Sequence, residues 1–139
     1  MQKQRSKVIY DSSIWTREYV SKYPNYLFVY GDNVQRKGTY GQANIRFETN
    51  TYGIPTKWKP TDTRDAYFYD IDDDVNGKVA EIWKDIFNEL YERSKYYDYI
   101  VFSKNGIGTG LAKMPLTAPR TFVYLIELID NLKARVNNG

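Results

Sequence analysis

Apolar residues along the chain change their period several times, and each change marks an element. Val8-Ile9-Tyr10 is a short apolar run after a polar start. It predicts a strand that leads into a helical piece from about Ser13 to Lys22, ended by Pro24 and Asn25. Tyr26-Leu27-Phe28-Val29-Tyr30 is unbroken, β-branched and aromatic, which is the pattern of a strand buried on both faces. It stops at Gly31-Asp32-Asn33, so a loop is expected at its carboxyl end. Gln42 to Phe47 predicts a short helix. Thr51 to Thr56 predicts a short strand with an interrupting turn, which Pro55 keeps out of a central ladder position.

From Trp58 to Asp74 the chain turns polar, predicting an exposed loop and then a short edge strand from Ala66 to Tyr69. Val79, Ile82, Trp83, Ile86, Phe87 and Leu90 recur at helical spacing, so a helix is expected from about Val75 to Ser94. Asp72, Asp73 and Asp74 stand at its positive amino end. Tyr99 to Phe102 reads as a second buried strand, followed by the loop Ser103 to Gly110. Thr117 and Pro119 start a final helix, whose apolar face of Phe122, Leu125, Ile126, Ile129 and Leu132 runs to about Val136. Strands alternating with helices predict the α/β class with a mixed, partly parallel central sheet. A chain of 139 residues with 42% hydrophobic content forms one domain spanning 1–139, with residues 1–6 expected to fray.

Composition removes several chemistries. There is no cysteine and no histidine, which excludes disulfides, thiolate nucleophiles, imidazole bases and zinc sites of the usual nitrogen and sulfur kind. Asp70, Asp72, Asp73 and Asp74 offer oxygen ligands for magnesium, but carboxylates before a helix are read here as an amino-terminal cap, and no metal or cofactor is expected. The net charge of +3 comes from scattered residues, so nucleic-acid binding is permitted rather than indicated. No stretch approaches the ~20 apolar residues of a membrane span. The polar start Met1-Gln2-Lys3-Gln4-Arg5 lacks the apolar segment of a secretory signal; a cytoplasmic protein is expected, with a homodimer permitted.

Both unusual loops follow buried strands, where ligands of α/β sheets collect. The second runs Asn105-Gly106-Ile107-Gly108-Thr109-Gly110-Leu111-Ala112-Lys113-Met114-Pro115. Its alternating glycines let main-chain amides approach a ligand without a Cβ in the way, and successive exposed amides form a concave anion site. The same glycines also serve an ordinary tight turn. The first loop, Gly31 to Ala43, carries Gly38, Tyr40, Gly41 and Gln42. In it Asp32 can accept from an exocyclic amine or a ribose hydroxyl, Asn33 or Gln42 can donate or accept, and Arg36 and Lys37 can neutralise a diphosphate. Gly31-Asp32-Asn33 is also plain turn chemistry. Lys57, Trp58 and Lys59 offer stacking and charge, and Tyr30, Tyr40 and Tyr52 are candidate walls for a base. Any catalysis has Asp32 as base, with Lys104 or Lys113 as electrostatic partner.

These segments resemble the macrodomain, the ADP-ribose-binding module, and more closely small tailed-bacteriophage proteins of macrodomain-like type. The likeness covers about Tyr26 to Val136 and is carried by Phe28 to Ala43, Gly53-Ile54-Pro55-Thr56-Lys57 and Gly106 to Pro119. It implies a three-layer macrodomain-like sandwich, a phosphate cradle from Gly106 to Gly110, and a first loop from Gly38 to Gln42 across the diphosphate. Asp32 or Asn33 would lie near the base or distal ribose. The ligand implied is ADP-ribose or a related nucleotide signal, bound or degraded by a phage protein that counters host defence. The rivals are an ADP-ribosyl hydrolase acting on modified protein or nucleic acid, and a nucleic-acid or protein-binding module.

Overall fold

A computed structural model of the chain describes residues 6–71 and 77–138. Four strands form one sheet: β1 (Lys7–Asp11), β2 (Tyr26–Asn33), β3 (Thr51–Lys57) and β4 (Tyr99–Ser103). Their spatial order is β1-β4-β2-β3. Every strand pairing is parallel, so the expected mixed sheet is corrected to a parallel one. Antiparallel pairing among the described residues is confined to a single bridge between Lys57 and Tyr67, where an edge strand from Ala66 to Tyr69 was expected.

A parallel sheet needs cover on both faces, and alternation along β2 supplies it. Leu27 and Val29 point into one apolar cluster, while Phe28 and Tyr30 point into another on the opposite face. The first cluster is closed by two long helices, α2 (Lys78–Ser94) and α4 (Pro119–Asn138), through Trp83, Phe87, Leu90, Leu125, Ile129 and Leu132. The second is closed by Trp15 and by Val20 of the short helix α1 (Arg17–Ser21), and by Ala43 and Ile45 of a 3-10 helix, Gly41–Ile45. A one-turn helix, α3 (Met114–Thr117), precedes α4.

Several boundaries differ from the sequence expectation for identifiable reasons. The first helix begins at Arg17 rather than Ser13, because Thr16 caps it by accepting the Tyr19 N–H at 3.1 Å. The strand Thr51–Lys57 is continuous; Pro55 is accommodated because β3 is the last strand in the order. Trp83 Nε1 donates to the Pro55 carbonyl at 2.7 Å, tying α2 to that strand. Ser6, expected to fray, is buried and its hydroxyl donates to the Ser94 and Tyr97 carbonyls. Asp72, Asp73 and Asp74 lie outside the described residues. Asp70 caps a different helix from the one expected: its carboxylate accepts from the Thr121 amide at 2.9 Å and the Thr121 hydroxyl at 3.0 Å, in the first turn of α4. No described helix is long and apolar enough to cross a membrane.

Candidate functional site

Strands β2 and β4 are parallel neighbours, and the chain leaves them in opposite directions. Beyond β2 it reaches the 3-10 helix, whose Ala43 and Ile45 pack with Phe28 on one face. Beyond β4 it reaches α3 and α4, whose Met114, Ala118 and Leu125 pack on the other. Diverging connections leave a crevice at the carboxyl ends of the strands. Here it is a cleft of about 740 Å³, bounded on one side by Gly31, Gly38, Tyr40, Gly41 and Gln42, and on the other by Asn105, Gly106, Gly108, Thr109, Gly110 and Leu111.

The second loop is held open by its backbone. Gly106 and Gly108 have φ of +88° and +82°, a region that favours glycine. The turn is closed by Gly106 N–H donating to the Ser103 carbonyl, Lys113 N–H to the Gly110 carbonyl and Met114 N–H to the Gly108 carbonyl. The Thr109 hydroxyl donates to the Asn105 carbonyl at 2.7 Å. Between these ties, the amides of residues 107–112 donate to nothing among the described residues. Gly108 is nonetheless buried, and buried amides without an acceptor are rare in folded proteins. A run of such amides is a concave donor surface for an anion.

The first loop is shaped from beneath by charge. Asp32 is 1% exposed at its side chain, and its carboxylate accepts four hydrogen bonds. Arg46 supplies two, at 2.5 and 2.8 Å; Arg36 supplies one at 2.8 Å, and the Asn33 amide one at 2.8 Å. Burial by itself would lower the Arg46 pKa, but the hydrogen bond and charge of Asp32 outweigh it and hold the guanidinium above its ordinary value. Arg46 then grips the loop: its Nε donates to the Gly38 carbonyl at 2.9 Å and its Nη2 to the Lys37 carbonyl at 3.0 Å. Among the described residues the peptides are all trans. In a trans peptide the N–H points opposite its C=O, so pinning these carbonyls turns the Gly38 and Thr39 amides away from Arg46.

Three of the expected site residues therefore have other work. Asp32 is not free to act as a base, because both oxygens are occupied by the two guanidiniums and an amide. Arg36 is not among the residues that line the cleft, and its Nη1 is committed to Asp32 and, at 2.6 Å, to the Gly53 carbonyl. Asn33 borders the cleft but spends its carboxamide on Lys37, with Nδ2 donating to the carbonyl at 2.7 Å and Oδ1 accepting the amide at 3.4 Å. Gly31, Asp32 and Asn33 also belong to β2 rather than to a loop. Lys104 is exposed and lies off the cleft, so the structure does not bring it to Asp32. Ile107 contributes its side chain to the core and is not among the residues that line the cleft.

Other candidates sort by burial. Tyr30 is packed in the second cluster, and burial pushes its hydroxyl up to about 12. Tyr52 is likewise in the core, its hydroxyl donating to the Ile86 carbonyl. Tyr40 alone of the three tyrosines stands at the cleft, 81% exposed. Trp58 meets Phe68 edge-on at 4.8 Å, and Lys59 pairs with Asp65 at 2.5 Å. Lys113 reaches the face of Tyr67 rather than the cleft.

The end of β3 and the segment after it contribute more than the sequence indicated. Thr56, Lys57, Pro60 and Asp62 all border the cleft, and Pro60 lies so close to Gly38 that an added Cβ there would sit 3.0 Å away. Lys57 is buried, donates to the Thr61 carbonyl at 2.6 Å and stands 4.7 Å from the Tyr67 ring centre. Burial draws its ammonium below the ordinary lysine value; Asp62 opposes this and Lys113 adds to it. Lys37 also borders the cleft, and its ammonium has no partner among the described residues.

Fold and site together define an α/β protein with a parallel four-stranded sheet and an amide-rich cleft at its carboxyl edge. The chain belongs to the DUF7831 family, a family of unknown function, whose profile matches residues 10–128. No curated protein and no solved structure matches it.

Proposed function

We propose that the protein binds a phosphate-bearing, nucleotide-derived ligand of the ADP-ribose class in the cleft between its two loops, within a three-layer macrodomain-like sandwich. The observation that carries this reading is the run of uncommitted amides at residues 107–112. Hydrogen bonds from such amides to a charged oxygen are each worth ~1.5–3 kcal/mol. Lys37 and Lys57 add positive charge along the same cleft. The cleft volume of about 740 Å³ lies within the ~300–1,000 Å³ typical of small-molecule and cofactor sites. The commitment of Asp32 to two arginines favours binding over turnover, because it removes the most economical base from a chain without histidine or cysteine.

The test is calorimetric titration and thermal shift with ADP-ribose, NAD, cyclic dinucleotides, inorganic pyrophosphate and an oligonucleotide. A ligand at a hundred times its Kd adds ~2.7 kcal/mol of stability. Gly110→Glu places a carboxylate at the cleft where an added Cβ meets nothing within 4 Å; it is expected to abolish binding and leave the unliganded melt unchanged. Absence of any shift with the phosphate-bearing small molecules, alongside salt-sensitive oligonucleotide binding, overturns the proposal in favour of a nucleic-acid module.

A further inference from the structure

Gln42 lines the cleft with its carboxamide held in one orientation. The backbone N–H of Gly31 donates to Gln42 Oε1 at 3.0 Å. A backbone N–H can meet only an acceptor, so this contact settles which end of the carboxamide carries oxygen. It leaves Nε2 as the uncommitted end, without a hydrogen bond among the described residues. Asn33 and Asn105 also bring carboxamides to the cleft; Asn33 differs from Gln42 because both its ends are used by Lys37. Position matters as much as orientation. A Cβ added to Gly31 would lie 3.8 Å from Ile107 and 4.0 Å from Gln42 Oε1, so Gly31 sits at the junction where the root of the 107–112 amide run meets the first loop.

We propose that Gln42 is the specificity-determining residue of this cleft: its Nε2 offers fixed N–H donors at the junction of the loops and selects a ligand that places a bare acceptor oxygen there. An unesterified phosphate oxygen meets that demand, and a group that can only donate, such as an amine, does not. The assignment rests on the reading of the cleft as a phosphate site and names the side chain that completes it. Locking the carboxamide through Gly31 removes the flip that would let a glutamine accept as well as donate, so the preference is built into the free protein.

The experiment compares the full chain with Gln42→Glu and Gln42→Met, using inorganic pyrophosphate and ADP-ribose as probes in calorimetry across pH. Gln42→Glu keeps an acceptor for Gly31 and nearly the same shape. At neutral pH it replaces the donors by lone pairs and adds negative charge, and a hundredfold or greater loss is expected. As pH falls through the ordinary glutamate value of about 4.3, the carboxyl gains an O–H that can donate, and binding is expected to recover. Gln42→Met has neither charge nor donor; it should lose roughly tenfold or more, the worth of one hydrogen bond to a charged oxygen, at every pH. If the wild-type chain binds the probes and Gln42→Met binds them equally well, the assignment falls and the phosphate reading stands. If the wild-type chain binds neither probe, the phosphate reading falls and takes the assignment with it.

Discussion

The Arg46 guanidinium and the Asp32 carboxylate meet end-on, Nη2 to Oδ1 at 2.5 Å and Nη1 to Oδ2 at 2.8 Å, with side chains 9% and 1% exposed. The same guanidinium holds the Lys37 and Gly38 carbonyls, so one buried pair sets the course of the first loop. Removing one partner of a buried pair costs ~3–5 kcal/mol where the other charge is left uncompensated; Asp32 would keep Arg36, so that figure is an upper bound here. Arg46→Met is therefore expected to lower the unfolding free energy in urea by up to that amount, moving the midpoint down in proportion, and to weaken pyrophosphate binding in whatever fraction remains folded. Arg46→Lys keeps the charge but loses the fork and should fall between. By the same logic an Asp32→Ala protein that loses function does so through its fold. An unchanged unfolding curve for Arg46→Met would show that the pair does not organise the loop.

Gly53 is small because of that ion cluster. A Cβ added there would lie 2.6 Å from Asp32 Oδ2 and 2.9 Å from Arg36 Nη1, and neither group has room to retreat, since Asp32 is buried and Arg36 also binds the Gly53 carbonyl. Overpacking costs ~1–3 kcal/mol. Gly53→Ala should destabilise by at least the lower figure in denaturant unfolding, an effect larger than glycine replacement normally brings to a strand.

Much of the sheet was legible because short, unbroken apolar runs rich in β-branched and aromatic residues and bounded by breakers, such as Tyr26 to Tyr30, read as strands buried on both faces. What misled was local chemistry overridden by pairing. Gly31-Asp32-Asn33 favours turns on its own, yet β3 offers it partners, Gly31 opposite Ile54 and Asp32 opposite Pro55, and the strand continues. The glycine pattern of the second loop pointed to the site directly. Arg46 did not, because its role depends on a contact across fourteen positions with Asp32. Pro60 enters only through its approach to Gly38. Periodicity reports which face is buried, and carries no signal for a charge pair or a loop contact between segments.

Glycines of one motif separate into structural and functional members. Gly108 has φ of +82°, and an added Cβ would lie 3.0 Å from Met114 Sδ in the core. Gly110 has ordinary backbone and open space. Gly108→Val should therefore unfold the protein or lower its unfolding free energy by ~2 kcal/mol or more, combining backbone strain and overpacking. Gly110→Val should melt like the wild type and lose only ligand. Circular-dichroism melts of the two variants decide the matter, and equal melting of both would show that the loop is not packed against Met114.

Asp70 gives the terminal helix a pH-dependent cap. Burial would raise the Asp70 pKa, but the amide and hydroxyl of Thr121, the Arg120 amide and the Arg120 charge outweigh it and hold the carboxyl below its ordinary value. A carboxylate whose folded value lies below its unfolded one contributes stability that is fully present above the unfolded value, ~3.9 for aspartate, and is lost as pH falls through the folded value. Asp70→Ala should thus be less stable than the wild type by ~1 kcal/mol at pH 7, the usual worth of an N-terminal cap. The difference should shrink steadily below about pH 4 as the wild-type carboxyl protonates. Urea midpoints of the two proteins from pH 7 to pH 2 measure this. A gap between them that persists undiminished into acid would mean that Asp70 acts by packing rather than by accepting from the first turn of α4.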